Sequence, residues 1–82
     1  MEINFAELLK SMIVPLVIHP DEVEVVEENK EGLLNYLVLV SKDDLGRVIG
    51  KGGKICGAIR TICYAGATKE KVKLKIEFES KK

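Results

Sequence analysis

The sequence of 82 residues has the length of one small domain, and its 46% hydrophobic and 32% charged residues are typical of a globular protein. No apolar run is as long as a membrane span, and Glu2 stands where a signal peptide would be basic, so we expect a single domain, residues 1–82, in the cytoplasm. Acidic and basic residues number 13 each, and a net charge of zero by itself argues against nucleic-acid binding.

The charge is unevenly distributed along the chain. Residues 1–41 hold two basic and eight acidic side chains, a balance of −6, whereas residues 42–75 hold nine basic and three acidic, a balance of +6. Such a dipolar molecule can steer a polyanion to its positive half while it stays neutral as a whole. We expect the resulting affinity to be weak and to fall as salt is added.

The first predicted element is an amphipathic helix near the N-terminus. Its apolar residues recur at steps of three and four, at Phe5, Leu8, Leu9, Met12, Ile13, Leu16 and Val17. Asn4 and Glu7 have the spacing of a capping pair at its start. Pro15 has no N–H group to donate to the preceding turn, which predicts a kink or a restart near Val14. Pro20 then ends the element, because the residue before a proline avoids helical backbone angles.

Two strands are predicted next, joined by a turn. Residues 23–27 read as a short strand, residues 29–32 as the turn, and residues 33–40 as a second strand. The second strand is apolar on both of its faces, which is typical of the central strand of a sheet.

A pair of helices around a glycine-rich loop follows the strands. The first is short and is predicted to start at a second capping pair, Ser41 and Asp44, and to reach Ile49. The second helix has one apolar face, made of Ile55, Cys56, Ile59, Ile62 and Cys63. We expect Gly66 to end it. Its two cysteines would lie about 10 Å apart along the axis, too far for a disulfide, and are expected to be reduced core residues.

The last element is a strand over residues 71–79, which alternate strictly between polar and apolar. Its solvent face is expected to carry a row of lysines, Lys69, Lys71, Lys73 and Lys75. The order α-β-β-α-α-β predicts an α/β (α+β) fold of two layers, with a three-stranded mixed sheet and the helices on one face. Residues 79–82 are expected to be a frayed tail.

The hexapeptide Ile49-Gly50-Lys51-Gly52-Gly53-Lys54 between the two helices is the strongest functional signal. Its glycines permit positive φ angles and close approach, while lysines, bare amides and a helix N-terminus favour an anion. The spacing fits neither the Walker A loop nor the dinucleotide fingerprint. It fits the G-x-x-G loop that clamps the sugar-phosphate backbone of single-stranded nucleic acid.

With the preceding residues Leu45-Gly46-Arg47-Val48, this loop resembles that of a KH domain of type II topology. The chain is similar to the small bacterial single-KH-domain RNA-binding proteins of the KhpA (YlqC) family. The resemblance implies binding of single-stranded RNA with low sequence specificity. It also implies a homodimer, or a heterodimer with a Jag/KhpB-type KH protein. The implied role is RNA regulation or chaperoning linked to cell elongation and division.

The same resemblance assigns roles to individual residues. It assigns the backbone-clamping loop to Gly50, Lys51, Gly52 and Gly53. It implies that the groove for the bases is lined by Val48 and Ile49. Positive charge beside the loop comes from Arg47 and Lys54. Members of the family commonly have a small polar residue, an isoleucine and a lysine after the loop, where this chain has Ile55-Cys56-Gly57. Gly57 weakens the helix by about 1 kcal/mol relative to alanine and removes one phosphate contact.

Several alternatives stay open at the level of sequence. The alternative interpretation is a protein-interaction adaptor with marginal RNA affinity, which zero net charge and Gly57 favour. For dimerisation, one set of apolar side chains on the central strand, Tyr36, Val38 and Val40 or Leu37 and Leu39, must lie on the uncovered sheet face. The competing surface is the helical one near the loop. The lysine row is interpreted as a solvated face in preference to a second RNA track.

Nothing in the sequence predicts an enzyme. A general acid–base pair needs carboxylates or a histidine placed in a cleft, and the acidic residues fall on helix caps and an exposed strand. His19, the single histidine, is expected to be a surface turn residue. We therefore expect no catalytic residue, no metal site, no cofactor, no small-molecule substrate and no membrane association.

Overall fold

The computed structural model describes residues 4–81, which contain three α-helices and three strands. In chain order these are α1 (Phe5–Ile13), β1 (Glu24–Lys30), β2 (Leu33–Ser41), α2 (Leu45–Ile49), α3 (Lys54–Glu70) and β3 (Lys73–Lys81). Short 3-10 turns occupy Val14–Leu16, Pro20–Glu22 and Lys51–Gly53. The predicted order α-β-β-α-α-β is therefore confirmed.

The three strands form one mixed sheet in the order β1-β2-β3. β1 is antiparallel to β2, and β3 is parallel to β2, as expected for a connection through two helices. The hairpin turn is tighter than predicted, because β1 continues to Lys30 and only Glu31 and Gly32 remain for the turn. Both have positive φ angles, 51° and 83°, which suits the right-handed twist of the flanking strands.

The start and the end of α1 follow local chemistry. The Asn4 side-chain carbonyl accepts a hydrogen bond from the Glu7 backbone N–H at 3.1 Å, which caps the helix. The α-helix ends at Ile13, and Pro15 lies in the 3-10 turn that follows. The predicted cap and the predicted interruption near Val14 are both confirmed.

The core lies between the helices and one face of the sheet. Its buried side chains come from every helix and from all three strands or their ends: Phe5, Leu9, Ile13, Val23, Tyr36, Val38, Val40, Val48, Ile59, Cys63, Ala67 and Ile76. The Phe5 and Tyr36 rings pack at 6.2 Å between centroids. Both cysteines are free and buried, as predicted, and burial raises the pKa of the Cys63 thiol.

Successive side chains of a strand point to opposite faces of the sheet, so the strand residues outside the core lie on its second face. Within residues 4–81, no helix covers this open face. Leu37 and Leu39 belong to this open face, because their neighbours in register are charged or exposed while Tyr36, Val38 and Val40 are buried. Both leucines are half-buried. An ion pair between Lys81 and Glu24, with nitrogen and oxygen 3.1 Å apart, joins the two edge strands across β2 and shields it.

Three predictions about the C-terminal half are wrong. α3 continues past Gly66 to Glu70, because Ala67 is a core residue whose burial requires another helical turn. The helix ends at Lys71 in a left-handed conformation, with the Val72 N–H bonded to the Ala67 carbonyl at 2.9 Å.

The other two errors concern β3 and its lysines. Residues 79–81 belong to β3 and pair with the end of β2, so they are not a frayed tail; residue 82 lies outside the described residues. Lys69 belongs to α3 and Lys71 to its cap, so only Lys73 and Lys75 of the predicted lysine row lie on the open face of the sheet.

Candidate nucleic-acid interface

The position of α2 is fixed by the buried carboxylate of Asp44. It accepts hydrogen bonds from the backbone N–H groups of Ile18 at 2.9 Å and His19 at 2.8 Å, and from the Ser41 hydroxyl at 3.0 Å. The predicted capping role is therefore wrong in detail: Asp44 is the N-cap residue, but its side chain makes no cap hydrogen bond to α2. It ties the segment after α1 to the start of α2.

The surroundings of Asp44 keep its carboxylate ionised. Burial alone would raise the pKa of Asp44, but the N–H donors of Ile18 and His19 and the Ser41 hydroxyl outweigh burial and hold the pKa below its ordinary value. The retained negative charge lies 3.6 Å from Nε of Arg47. Because Arg47 is half exposed, this pair holds a guanidinium at the solvent-facing side of α2.

Gly50, Gly52 and Gly53 each have a positive φ angle, at 75°, 66° and 77°. A Cβ atom on Gly50 would lie 2.6 Å from Cγ1 of Ile55, so this position requires glycine for space as well as for conformation. A Cβ atom on Gly52 would meet nothing within 4 Å. The loop therefore packs closely at its first glycine and is open at its tip.

The backbone N–H groups of the loop divide into bonded and free ones. Those of Gly50 and Gly53 donate to the carbonyls of Gly46 at 2.9 Å and Gly50 at 3.2 Å. The N–H of Lys54 donates to the Lys51 carbonyl. The N–H groups of Lys51 and Gly52 have no hydrogen-bond partner within residues 4–81. The tip of the loop thus offers two adjacent free donors beside two exposed lysine side chains.

Most of the predicted site residues are at least partly exposed. Lys51, Gly52, Lys54 and Arg47 are exposed, and Ile49, Gly50 and Gly53 are half-buried. Val48 differs, because it has 0% exposed surface and packs in the core under the loop. Its side chain lies in the core and is not available to line a groove, contrary to the prediction.

Arg60 on α3 belongs to the same region and was not predicted from the sequence. Its Nε donates to the Ile76 carbonyl on the edge strand β3 at 3.3 Å, and its guanidinium carbon lies 5.3 Å from the centre of the Phe78 ring. Its Nη1 also lies 3.7 Å from Sγ of Cys56, whose thiol contacts the Gly53 carbonyl at 3.4 Å. A signal was present in the sequence, since Arg60 is one helical turn after Cys56 on the apolar face.

A G-x-x-G loop between two helices, packed on a three-stranded mixed sheet of order α-β-β-α-α-β, defines a KH domain of type II topology. The sequence model of the KhpA/KhpB KH-domain family matches residues 6–78 of the chain. The chain belongs to this family, which is not a family of enzymes.

Several bacterial relatives carry the name RNA-binding protein KhpA. The protein of Listeria monocytogenes is 46% identical over 71 residues, which cover 87% of this chain and 93% of the relative. That of Caldanaerobacter subterraneus is 42% identical over 71 residues, or 87% and 95% of the two chains. That of Bacillus subtilis is 35% identical over 74 residues, or 90% and 91%.

Within residues 4–81, no helix is long and apolar enough to cross a membrane. In the same range, histidine, cysteine, aspartate and glutamate form no group of three or more that could hold a metal ion.

Proposed function

We propose that this protein binds single-stranded RNA by clamping its sugar-phosphate backbone with the loop Gly50–Gly53. The observation that carries the proposal is the pair of free N–H groups on Lys51 and Gly52, adjacent to exposed ammonium groups. Backbone donors and cations together fit phosphate oxygens. The relatives' printed name, RNA-binding protein KhpA, supports RNA as the polyanion.

The proposed binding has low sequence specificity. A G-x-x-G loop clamps about four nucleotides, and contacts to phosphates carry no sequence information. Arg47, Lys51 and Lys54 are exposed in or beside the loop, so their positive charges attract RNA to this surface. RNA affinity should therefore fall steeply with salt.

The test is a double substitution, Lys51→Asp with Gly52→Asp, in RNA crosslinking and filter binding. Aspartate tolerates left-handed backbone angles, and a side chain at Gly52 has free space, so the fold is expected to survive. Two added negative charges at the donors should abolish binding. The matched control reverses Lys73 and Lys75 on the open sheet face and should bind far better. Unchanged RNA binding by the loop variant, with an unchanged circular dichroism spectrum, would refute the proposal.

We also propose that the protein acts as a dimer through the outer face of α3. Ile62 is 53% exposed there, and its helical neighbours Ala58 and Ala65 are small and exposed. This face turns away from Arg60 and from β3, so a partner on it would leave the loop accessible. The competing surface on the sheet is weaker, because Leu37 and Leu39 are already half-buried.

The dimer proposal is tested by sedimentation of an Ile62→Lys variant. Loss of the dimer with an intact fold is the expected result, and a dimer that persists would shift the interface to the open sheet face. The partner on this face is a second copy or a Jag/KhpB-type KH protein, and mixing experiments with the variant distinguish the two. In the cytoplasm, a dimer would carry two RNA-binding loops, and binding of one loop would raise the effective concentration of the other at the same RNA. Such a dimer would serve RNA regulation or chaperoning linked to cell elongation and division.

A second candidate function is a protein-interaction adaptor with marginal RNA affinity. It is favoured by the zero net charge and by Gly57, whose missing side chain leaves open space beside the loop. A filter-binding titration at two salt concentrations discriminates the candidates. RNA retention with a negative salt slope supports the clamp, and no retention at low salt supports the adaptor.

A further inference from the structure

Arg60 is held in a defined orientation between α3 and the edge strand β3. Its Nε donates to the Ile76 carbonyl at 3.3 Å, and its guanidinium lies over the Phe78 ring at 5.3 Å. The hydrogen bond and the ring contact together restrict the guanidinium, which offers a planar group that a flexible lysine would not present. Arg60 is nevertheless partly exposed, and three of its five N–H groups are left after the contacts to Ile76 and Cys56.

The flank of α3 that carries Arg60 continues directly from the loop. Gly53, Gly57, Arg60 and Tyr64 follow at steps of three and four residues, so they share one side of the helix. Seven residues of helix place Arg60 about 10 Å from Gly53, roughly three stacked bases at ~3.4 Å each. A strand clamped at the loop can therefore reach Arg60 within the span of about four nucleotides that such a loop holds.

Gly57 leaves open space on α3 between the loop and Arg60. A Cβ atom added at Gly57 would meet nothing within 4 Å, so the helix backbone is bare at this point. Beyond Arg60, the side chain of Tyr64 is 38% exposed and extends the flank with an aromatic ring. Bare backbone followed by planar groups is a surface on which a base can lie flat.

We propose that Arg60 is a base-contacting residue, on whose guanidinium plane one RNA base stacks while the loop holds the adjacent backbone. This inference rests on the proposed RNA clamp and adds a subsite to it. The guanidinium plane, backed by Phe78, offers a stacking face, and its remaining N–H groups can donate to the edge of the base. The subsite favours the presence of a base over a bare sugar-phosphate, whichever base that is.

The test uses short oligouridines in which a single 2-aminopurine, or a single abasic site, is placed at each position in turn. Binding and quenching of 2-aminopurine are measured for wild type, Arg60→Met and Arg60→Lys. Lys73→Met is the matched control, because it removes one positive charge from the open sheet face. We expect Arg60→Met to weaken binding about tenfold when the base is present at the subsite and about twofold or less when that position is abasic.

Arg60→Lys keeps the positive charge at this position but removes the planar guanidinium. The salt slope should stay near wild type in this variant, while the quenching at the subsite is lost. If either Arg60 variant keeps the wild-type difference between base and abasic oligonucleotides, Arg60 contacts no base and the inference is overturned. A purely structural role would lower the unfolding free energy without changing that difference in affinity.

A second variant keeps the test informative if Arg60 substitutions unfold the protein. Gly57→Leu should fold, because a Cβ atom there meets nothing within 4 Å and leucine favours a helix more than glycine does, yet the side chain covers the bare flank beside Arg60. We expect it to weaken binding of the base-containing oligonucleotide, and unchanged affinity would contradict the inference. The Lys51 and Gly52 double variant tests the clamp itself. If the double variant loses RNA binding but the Arg60 variants bind like wild type, only the base subsite is rejected. If the double variant binds RNA like wild type, the clamp itself is rejected.

Discussion

Replacement of Gly50 by alanine should be far more damaging than the same change at Gly52. Gly50 has φ 75° and ψ 174°, a region that is essentially restricted to glycine, and a Cβ atom there would lie 2.6 Å from Cγ1 of Ile55. For alanine at this position, the backbone strain costs about 1–3 kcal/mol, and the overlap with Ile55 costs about another 1–3 kcal/mol. Together they should lower the free energy of unfolding by about 4 kcal/mol. A domain of this size is stable by only about 4–12 kcal/mol, so Gly50→Ala should leave it marginally folded.

Gly52→Ala is the matched control. Gly52 is left-handed at φ 66° and ψ 21°, and its added Cβ would touch nothing, so only the conformational cost of about 1–2 kcal/mol remains. Urea denaturation followed by circular dichroism gives both free energies of unfolding. Gly50→Ala should lose clearly more stability than Gly52→Ala. An equal or smaller loss would mean that Ile55 does not fill the space beside Gly50.

Three further predictions concern the helices, the buried carboxylate and the lysines. Gly57→Ala should stabilise the protein by about 1 kcal/mol in urea denaturation, because the methyl enters open space and alanine favours the helix. Asp44 has a folded-state pKa below its ordinary 3.8, so its contribution to stability is complete above that value and is lost as pH falls through the lower one. Acid titration of Asp44→Asn should show a shallower loss of stability over this range than wild type. Lys51→Gln and Lys54→Gln should each reduce the salt slope of RNA binding by about 1, as measured by fluorescence anisotropy.

The order of elements could be predicted because each helix and strand carries its own period in the sequence. Alternation in residues 73–79 and the apolar steps of α1 survive in the structure with shifts of a few residues. Boundaries that depend on distant contacts could not be predicted in the same way. Gly66 lies inside α3 because Ala67 must reach the core, and local propensity contains no information about that contact.

The candidate site shows the same division. The glycine loop is visible in the sequence because three positive φ angles demand glycine within four residues. The burial of Val48 is not visible, since α2 has five residues and is too short for its apolar period to define a face. The contact of Arg60 with Phe78 depends on how α3 packs against β3, which the sequence leaves open.

The central claim is that the free backbone amides of Lys51 and Gly52 hold RNA phosphates. The most direct measurement is a titration of the ¹⁵N-labelled protein with a short oligouridine, followed by amide chemical shifts. The amide signals of Lys51 and Gly52 should move most and at the lowest RNA concentration. Shifts confined to the open sheet face around Leu37 and Lys75, with the loop amides unmoved, would contradict it.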